Sequence, residues 1–242
     1  MNIKEQAEKN VEFFKNHSYV GRGIVIGQSP DKKNFFQIYW IMGRSENSRN
    51  RIFLQENENV KTEAFDSSKL SDPSLIIYYP VRQVADMHIV TNGDQTDTIE
   101  QSLINGGSFE DALETRTYEP DAPNYTPRIS GITYFDGENT KYSLSVLKNI
   151  DKDASNRVQR SYFNYEESIP GYGHFIHTYE KDGNPLVSFE GEPKAMPIFN
   201  TVDENLEFYW NNLNEDNKVS LLVKSIDAKN GESSIKIVNK LK

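Results

Sequence analysis

The sequence predicts an α+β fold in which two β-sheets stack between helical layers. Three observations carry this: an early block of strands, a switch to helical period near Asp94, and a second block of strands interrupted by one more helix. A chain of 242 residues is long enough for one large core, and no linker-like stretch divides it, so residues 1–242 are expected to form a single domain.

Met1 to Asn16 reads as a charged amphipathic helix, with Ile3, Ala7, Val11 and Phe14 on one stripe, and not as a signal or transit peptide. Tyr19 to Gly27 and Phe35 to Met42 are rich in β-branched and aromatic residues and flank a Ser-Pro-Asp turn, which predicts a hairpin. Strands are expected at Leu75 to Tyr79 and at Asp86 to Thr91. Ile99, Leu103 and Ile104 then follow helical spacing up to Gly106-Gly107, and Ser108 with Asp111 forms a capping-box pattern that opens a second helix. Pro120, Pro123 and Pro127 make Glu119 to Pro127 an extended, stiff loop. Alternating segments at Arg128 to Phe135, Lys141 to Leu147, Gly171 to Glu180 and Leu186 to Phe189 predict a second sheet. Leu206, Tyr209, Trp210 and Leu213 mark a late helix, followed by strands at Lys218 to Ile226 and Ser234 to Val238.

The apolar fraction of 36% is lean, but 13 Tyr and 13 Phe supply enough bulk for a folded, soluble chain. A net charge of −9 argues against a surface that grips nucleic acid, so an anionic ligand needs a local basic pocket. No stretch approaches the ~18 apolar residues of a membrane span. The absence of cysteine excludes disulfides, thiolate metal sites and cysteine nucleophiles, and a cytoplasmic location is the expectation.

The densest chemistry is Gly43 to Arg51, GRSENSRNR, directly after a strand. Arginine forks match phosphate oxygens bidentately, and Ser45 and Asn50 are of the type that completes such a cradle around Arg44 and Arg51. A solvated loop whose arginines pair with surface acids is the plainer alternative. Arg22 and Arg82 sit in or just after apolar strands, so each needs a buried acid or a ligand. Gly21, Gly23 and Gly27 do not form a dinucleotide fingerprint, because they lie within a strand with no helix behind them. His174 and His177 fall on opposite faces of a strand, which disfavours a shared metal. Asn92 to Thr98 enters a helix N-terminus, a place for phosphate or for ordinary capping by Asp94 or Thr96. Tyr78 and Tyr79 face opposite ways, one suited to a core and the other to a cleft. Glu119 and Arg128, at the two ends of the proline-rich loop, suit either a catalytic wall or a loop-bracing ion pair.

Taken in order, YVGR (19–22), the GRS and NR parts of GRSENSRNR, IIYYPVR (76–82), IVTNGDQTDTI (89–99) and YEPDAPNYTPRI (118–129) resemble the archaeal-type IMP cyclohydrolase family. The resemblance is close over the first half of the chain and extends to the second only in its rhythm of strands. It implies a four-layer αββα sandwich like that of N-terminal-nucleophile hydrolases, without self-cleavage. It also implies dehydrative closure of 5-formamidoimidazole-4-carboxamide ribonucleotide to IMP, with no metal and no cofactor. Tyr78 and Glu119 fall on the family's tyrosine and glutamate positions and would carry the proton transfers. A nearby arginine would lower the Tyr78 pKa, and desolvation would keep Glu119 protonated near neutral pH. Arg22, Arg44 and Arg51 would bind the 5′-phosphate or polarise the formyl oxygen, while Asn92, Asn124 and Arg128 would orient base and ribose. The partner is then a small nucleotide, not nucleic acid or membrane, and the resemblance suggests a homo-oligomer, a tetramer.

Departures from the family pattern bear on the substrate more than on the fold. GRSENSRNR is longer between its arginines, Tyr79 replaces a smaller polar residue, and YEPDAPNYTPRI carries an extra residue. A related amidohydrolase acting on another small anion, and a nucleotide-binding protein without catalysis, therefore remain beside the cyclohydrolase.

Overall fold

The computed structural model describes residues 1–69, 73, 76–151 and 157–242. The elements run α1 (Ile3–Asn16), β1 (Gly23–Gln28), β2 (Asn34–Met42), α2 (Glu46–Arg49), β3 (Arg51–Glu56), β4 (Asn59–Ala64), β5 (Val81–Val84) and β6 (Met87–Thr91). Then come α3 (Gln95–Ile104), α4 (Phe109–Glu114), β7 (Arg128–Tyr134), β8 (Lys141–Asn149), β9 (Val158–Tyr165), β10 (Tyr172–His177) and β11 (Tyr179–Lys181). The chain finishes with β12 (Val187–Ser188), β13 (Lys194–Pro197), α5 (Val202–Asn212), β14 (Lys218–Asp227) and β15 (Ser233–Asn239).

These strands form a six-stranded sheet in the order β13-β10-β1-β2-β14-β15, a seven-stranded sheet in the order β3 through β9, and the small β11-β12 ribbon. The fold is mixed α+β with antiparallel pairing, as in β1 against β2, where Ile24 faces Tyr39. Period-two alternation assigns the faces of the six-stranded sheet. On β2, Phe36, Ile38, Trp40 and Met42 join one cluster with Phe14 of α1 and Tyr209 of α5. Tyr39 and Ile41 point the other way and pack with Val90, Leu144 and Val146 of the seven-stranded sheet. The far side of that second sheet carries Ile89, Ile132 and Leu147 against Ile99, Leu103, Phe109 and Leu113 of α3 and α4. Close packing at the first of these faces leaves no room at Gly23, where a Cβ would sit 2.1 Å from the Trp40 ring.

The helices end and begin as their caps dictate. Asn2 and Glu5 cap α1, Ser108 and Asp111 cap α4, and Thr201 and Glu204 cap α5, each as a reciprocal box. None of the helices among the described residues is long and apolar enough to cross a membrane.

The strand expected at Leu75 to Tyr79 does not form over its described part, and Leu75 lies outside the described residues. The Pro73 carbonyl accepts from the amides of both Ile76 and Ile77, at 3.0 and 2.9 Å, which closes a turn. Tyr78 then pairs with Thr62, partly through the threonine hydroxyl, and the regular strand starts only after Pro80. The strand expected at Gly171 to Glu180 is divided at Thr178 into β10 and β11. Strands β3, β4, β5, β9 and β13 and the short α2 go beyond the sequence reading; in β3, β4 and β9 polar residues occupy both faces.

The edge strands β3 and β15 are joined by one side chain. The Asn239 amide accepts from the Phe53 N–H at 2.9 Å and donates to the Phe53 carbonyl at 3.0 Å. His174 and His177 face opposite ways, the first stacked on Tyr165 and the second on Phe175.

Burial leaves several histidines neutral. It lowers His88 to about 3, with nearby Lys224 adding to the effect, and it holds His177 well below its ordinary value, with Lys194 adding. The unfolded chain takes up these protons near pH 6.5, so below that pH it binds more protons than the folded one. Stability is therefore full above that pH and falls as the pH drops, by about 1 kcal/mol per pH unit for each such histidine. Urea melts between pH 7 and 5 are expected to show this slope, and His88→Met to reduce it; an unchanged slope would exclude His88 as a source.

Candidate functional site

Arg22 immediately precedes β1, and its placement depends on Gly21. That glycine has φ +74°, and a Cβ on it would come within 2.1 Å of the Thr178 hydroxyl. The Arg22 N–H donates to the same hydroxyl at 3.1 Å. Its buried guanidinium then reaches both oxygens of Glu119, Nη2 lying 3.2 Å from Oε1 and 3.0 Å from Oε2. Glu119 is 2% exposed and is fixed by its backbone N–H to the Thr126 carbonyl at 2.9 Å. Thr126 is anchored in turn by Asp121 and by the Tyr179 hydroxyl, which holds the proline-rich loop against the β10-β11 junction.

Tyr78 enters the same space from the irregular segment before β5. Its hydroxyl lies 2.7 Å from that of Tyr39, on the inner face of β2. Arg51, the first residue of β3, is 3% exposed and donates through Nε to the Ser48 carbonyl at 2.9 Å. Among the described residues no carboxylate lies within 4 Å of the Arg51 guanidinium, although Tyr78, Tyr39 and Tyr19 all act on it electrostatically. The Nε atoms of Arg22 and Arg128 are buried donors without a partner among the described residues. Unpaired buried donors of positive charge are costly unless an anion meets them.

The other expected residues divide between the wall and the rim. Arg128 donates to Gln95 Oε1 at 2.7 Å and pairs with Asp94 at 2.6 Å, so it does not bridge directly to Glu119. Asn92 is fully buried and braces this wall, donating to the Pro127 carbonyl and accepting from the Ile129 N–H, both at 2.9 Å. Asp94 also pairs with Arg116, and although it is the N-cap residue of α3 its side chain makes no capping hydrogen bond, so the capping by Asp94 expected from sequence does not form. Asn124 accepts from the Leu186 N–H at 3.3 Å. Arg44 stands at the rim, bonded to Asp182 at 2.5 Å and lying over the Tyr19 ring. Ser45 caps α2, and Asn50 clasps both backbone groups of Asp66, so their side chains already have partners in the protein. Arg82 finds its acids at the surface, Asp97 and Glu100, while stacking 3.7 Å from the Tyr79 ring centroid.

Electrostatics follow from burial. Desolvation pushes the Glu119 carboxyl up, against the pull of Arg22 and Arg128. It also pushes Tyr78 up, and Arg51 and Arg22 only moderate that rise, so the expected lowering of Tyr78 is overturned. Burial outweighs two guanidinium groups here because the phenol is fully enclosed. Desolvation likewise lowers Arg51, with only partial compensation from Tyr78, whereas Glu119 and the surrounding phenols outweigh desolvation at Arg22 and hold it charged.

Among the described residues there is no group of three or more His, Asp or Glu placed to hold a metal ion. A cavity of about 840 Å³ bordered by Gln28, Phe35, Tyr134 and Glu166 opens at the other end of β1 from Arg22 and includes none of the expected site residues. The convergence of ionisable groups marks the Arg22–Arg51–Tyr78–Glu119 cluster, and not that cavity, as the candidate site. Tyr39 was not anticipated from sequence. Its signal lay in FFQIYWIM, where Gln37 and Tyr39 share the face opposite Phe36, Ile38 and Trp40.

This arrangement can hold an anion on Arg51, move a proton at Tyr78 or Glu119, and exclude water from both. Residues 19–231 match the family of IMP cyclohydrolase-like proteins. The chain is similar to an IMP cyclohydrolase of Methanococcus maripaludis, at 34% identity over 46% of this chain and 56% of the relative. It is also similar to proteins of that name from Methanopyrus kandleri, 36% identical over 50% of this chain and 60% of the relative, and Methanothrix thermoacetophila, 30% identical over 72% and 80%. The chain thus spans little more than half the length of the first of these relatives. Because the family match runs from Tyr19 before β1 to Gly231 before β15 and contains every residue of the buried cluster, the chain belongs to the family of IMP cyclohydrolase-like proteins.

Proposed function

We propose that this protein closes the purine ring, converting 5-formamidoimidazole-4-carboxamide ribonucleotide to IMP and water. The observation that carries the reading is Arg51, a buried guanidinium with no carboxylate within 4 Å among the described residues, beside Tyr78 and the Arg22–Glu119 pair. Such a charge suits an anionic ligand or a developing oxyanion. The relatives named IMP cyclohydrolase support the choice of substrate.

In the reaction the carboxamide nitrogen bonds to the formyl carbon while one of its protons passes to the formyl oxygen, giving the carbinolamine; its hydroxyl then gains a second proton and departs as water as the former formamide nitrogen loses its proton and the ring C=N bond forms. Arg22 and Arg51 bind the 5′-phosphate or polarise the formyl oxygen, with Arg44 at the entrance. Tyr78 and Glu119 carry the proton transfers. Asn92 holds the wall from which Arg128 and Asn124 orient base and ribose, and Ser45 and Asn50 shape the loop that delivers Arg51. Holding the two reacting groups together supplies much of the remaining acceleration.

The same reading takes the fold as a four-layer αββα sandwich of the N-terminal-nucleophile-hydrolase type, without self-cleavage, in a single domain. Helices α1 and α5 outside one sheet, α3 and α4 outside the other, and one shared apolar layer between the sheets support it. The protein works in the cytoplasm as a homo-oligomer on a free nucleotide.

The test is the absorbance change as IMP forms when the purified protein meets the formylated ribonucleotide. Turnover is expected. Tight binding of IMP without turnover would make this a nucleotide-binding protein, and hydrolysis of other acylated amines without cyclisation would make it an amidohydrolase. Either result overturns the reading.

A further inference from the structure

We propose that the space over Gly93, between Arg128 and Glu119, receives the carboxamide of the substrate, and that Gln95 is the positioning residue that holds Arg128 beside it. The assignment deepens the cyclohydrolase reading and rests on it for the identity of the ligand, though not for the geometry around Gly93.

Gly93 joins β6 to α3, and its φ lies outside the left-handed region, so the backbone does not require a glycine there. The space above it does. A Cβ would sit 2.7 Å from Arg128 Nη1, 2.7 Å from Gln95 Oε1 and 3.5 Å from Glu119 Oε1. A guanidinium and a carboxylate therefore approach one point, yet no ion pair within 4 Å joins them, Arg128 pairing with Asp94 and Glu119 with Arg22.

Hydrogen bonds to backbone groups determine how Arg128 is held. The Ile129 N–H can only donate and the Pro127 carbonyl can only accept, so Asn92 turns its oxygen to the first and its nitrogen to the second, both at 2.9 Å. The Asn92 oxygen also accepts an N–H of Gln95 at 2.9 Å, and the Ile129 carbonyl accepts from the same amide at 3.2 Å. Gln95 is thereby left with its oxygen toward Arg128 Nη1, which donates to it at 2.7 Å. Asn92 and Gln95 are both fully buried, so water does not compete for these bonds. Asp94 engages the same Nη1 at 2.6 Å, while Nε of the buried Arg128 remains a donor without a partner among the described residues.

An occupant of this space meets a cationic donor and an anionic acceptor side by side. A primary carboxamide offers an oxygen and an N–H on one edge, which matches that pair. The formamido group of the same substrate points them opposite ways in its extended form. With its oxygen on Arg128, the carboxamide turns an N–H to Glu119, which takes that proton as the nitrogen bonds to the formyl carbon and passes it to the formyl oxygen.

The test uses two ligands that bind without reacting: the ribonucleotide with its 5-amino group unformylated, and the counterpart with hydrogen in place of the 4-carboxamide. Calorimetry on the wild-type protein is expected to show about a hundredfold preference for the carboxamide, from two charge-assisted hydrogen bonds. Gly93→Ala, which intrudes on Arg128, and Gln95→Leu, which releases it, are each expected to lower that preference about tenfold and to leave affinity for the counterpart within about threefold. A general loosening of the site would instead weaken both ligands alike and leave the ratio unchanged. If Gln95→Leu does not fold, Gly93→Ala decides. No preference in the wild type, or the full preference in a folded variant, overturns the assignment. If the wild type shows the preference and the variants reduce it while the formylated substrate is not cyclised, the cyclohydrolase reading falls and the carboxamide site stands.

Discussion

Glu119→Gln is expected to lower kcat about a hundredfold, in the range that a positioned acid or base contributes, while the protein stays folded. Gln is nearly isosteric and its amide oxygen can still accept from Arg22, so the contact at 3.0 Å is weakened and not emptied. What is lost is the ability to take up a proton. Because burial raises the Glu119 carboxyl above its ordinary value, a Glu119 base loses activity as pH falls through that raised value, and activity is full above it. The acid limb should thus lie above the usual carboxylate range in the wild type and disappear from the residual activity of the variant. An acid limb that persists unchanged in Glu119→Gln would remove Glu119 from the proton transfers.

Arg51→Met is expected to act in opposite directions on activity and stability. A buried guanidinium without a carboxylate partner is a cost to the folded state, and burial lowers its pKa accordingly. Methionine has similar length and no charge, so the variant is expected to melt at the same temperature or higher, after loss of the single Nε bond to Ser48. Activity should fall by about a hundredfold in kcat/KM, because in the proposed function the same charge meets the anion. The division between KM and kcat reports which anion it meets. A rise confined to KM indicates the phosphate, and an equal fall in kcat and kcat/KM indicates the oxyanion. Full activity in Arg51→Met would leave the site without its defining charge and sink the proposed function.

Much of the fold was legible because its strongest signals are local. The β1-β2 hairpin follows from two aromatic, β-branched runs around a turn, and the α3-α4 pair follows from Gly106-Gly107 and the Ser108 box. The Tyr78 segment was misread as a strand because IIYY has strand composition, yet Pro73 and Pro80 frame it and Thr62 takes over its pairing. Strand β4 escaped because ENENVKTEA alternates poorly, one face being only half-buried, and β3 because RIFLQE carries polar residues on both faces. At the site, sequence singled out candidate side chains but not what each one touches. Arg22, Arg51, Tyr78 and Glu119 converge, whereas Ser45, Asn50 and Asn92 are occupied with capping and bracing. Those assignments depend on partners distant in sequence, as Arg22 and Glu119 are.

The Asn239 link between β15 and β3 gives the site a common chassis. A single amide acts there as a sideways peptide unit, riveting the rims of both sheets at Phe53, two positions beyond Arg51. Tyr39 belongs to one sheet and Arg51 to the other, so this link adds to the shared apolar layer in fixing their separation. With it, phenol and guanidinium ride on one frame, and a ligand meets a geometry that it does not have to assemble.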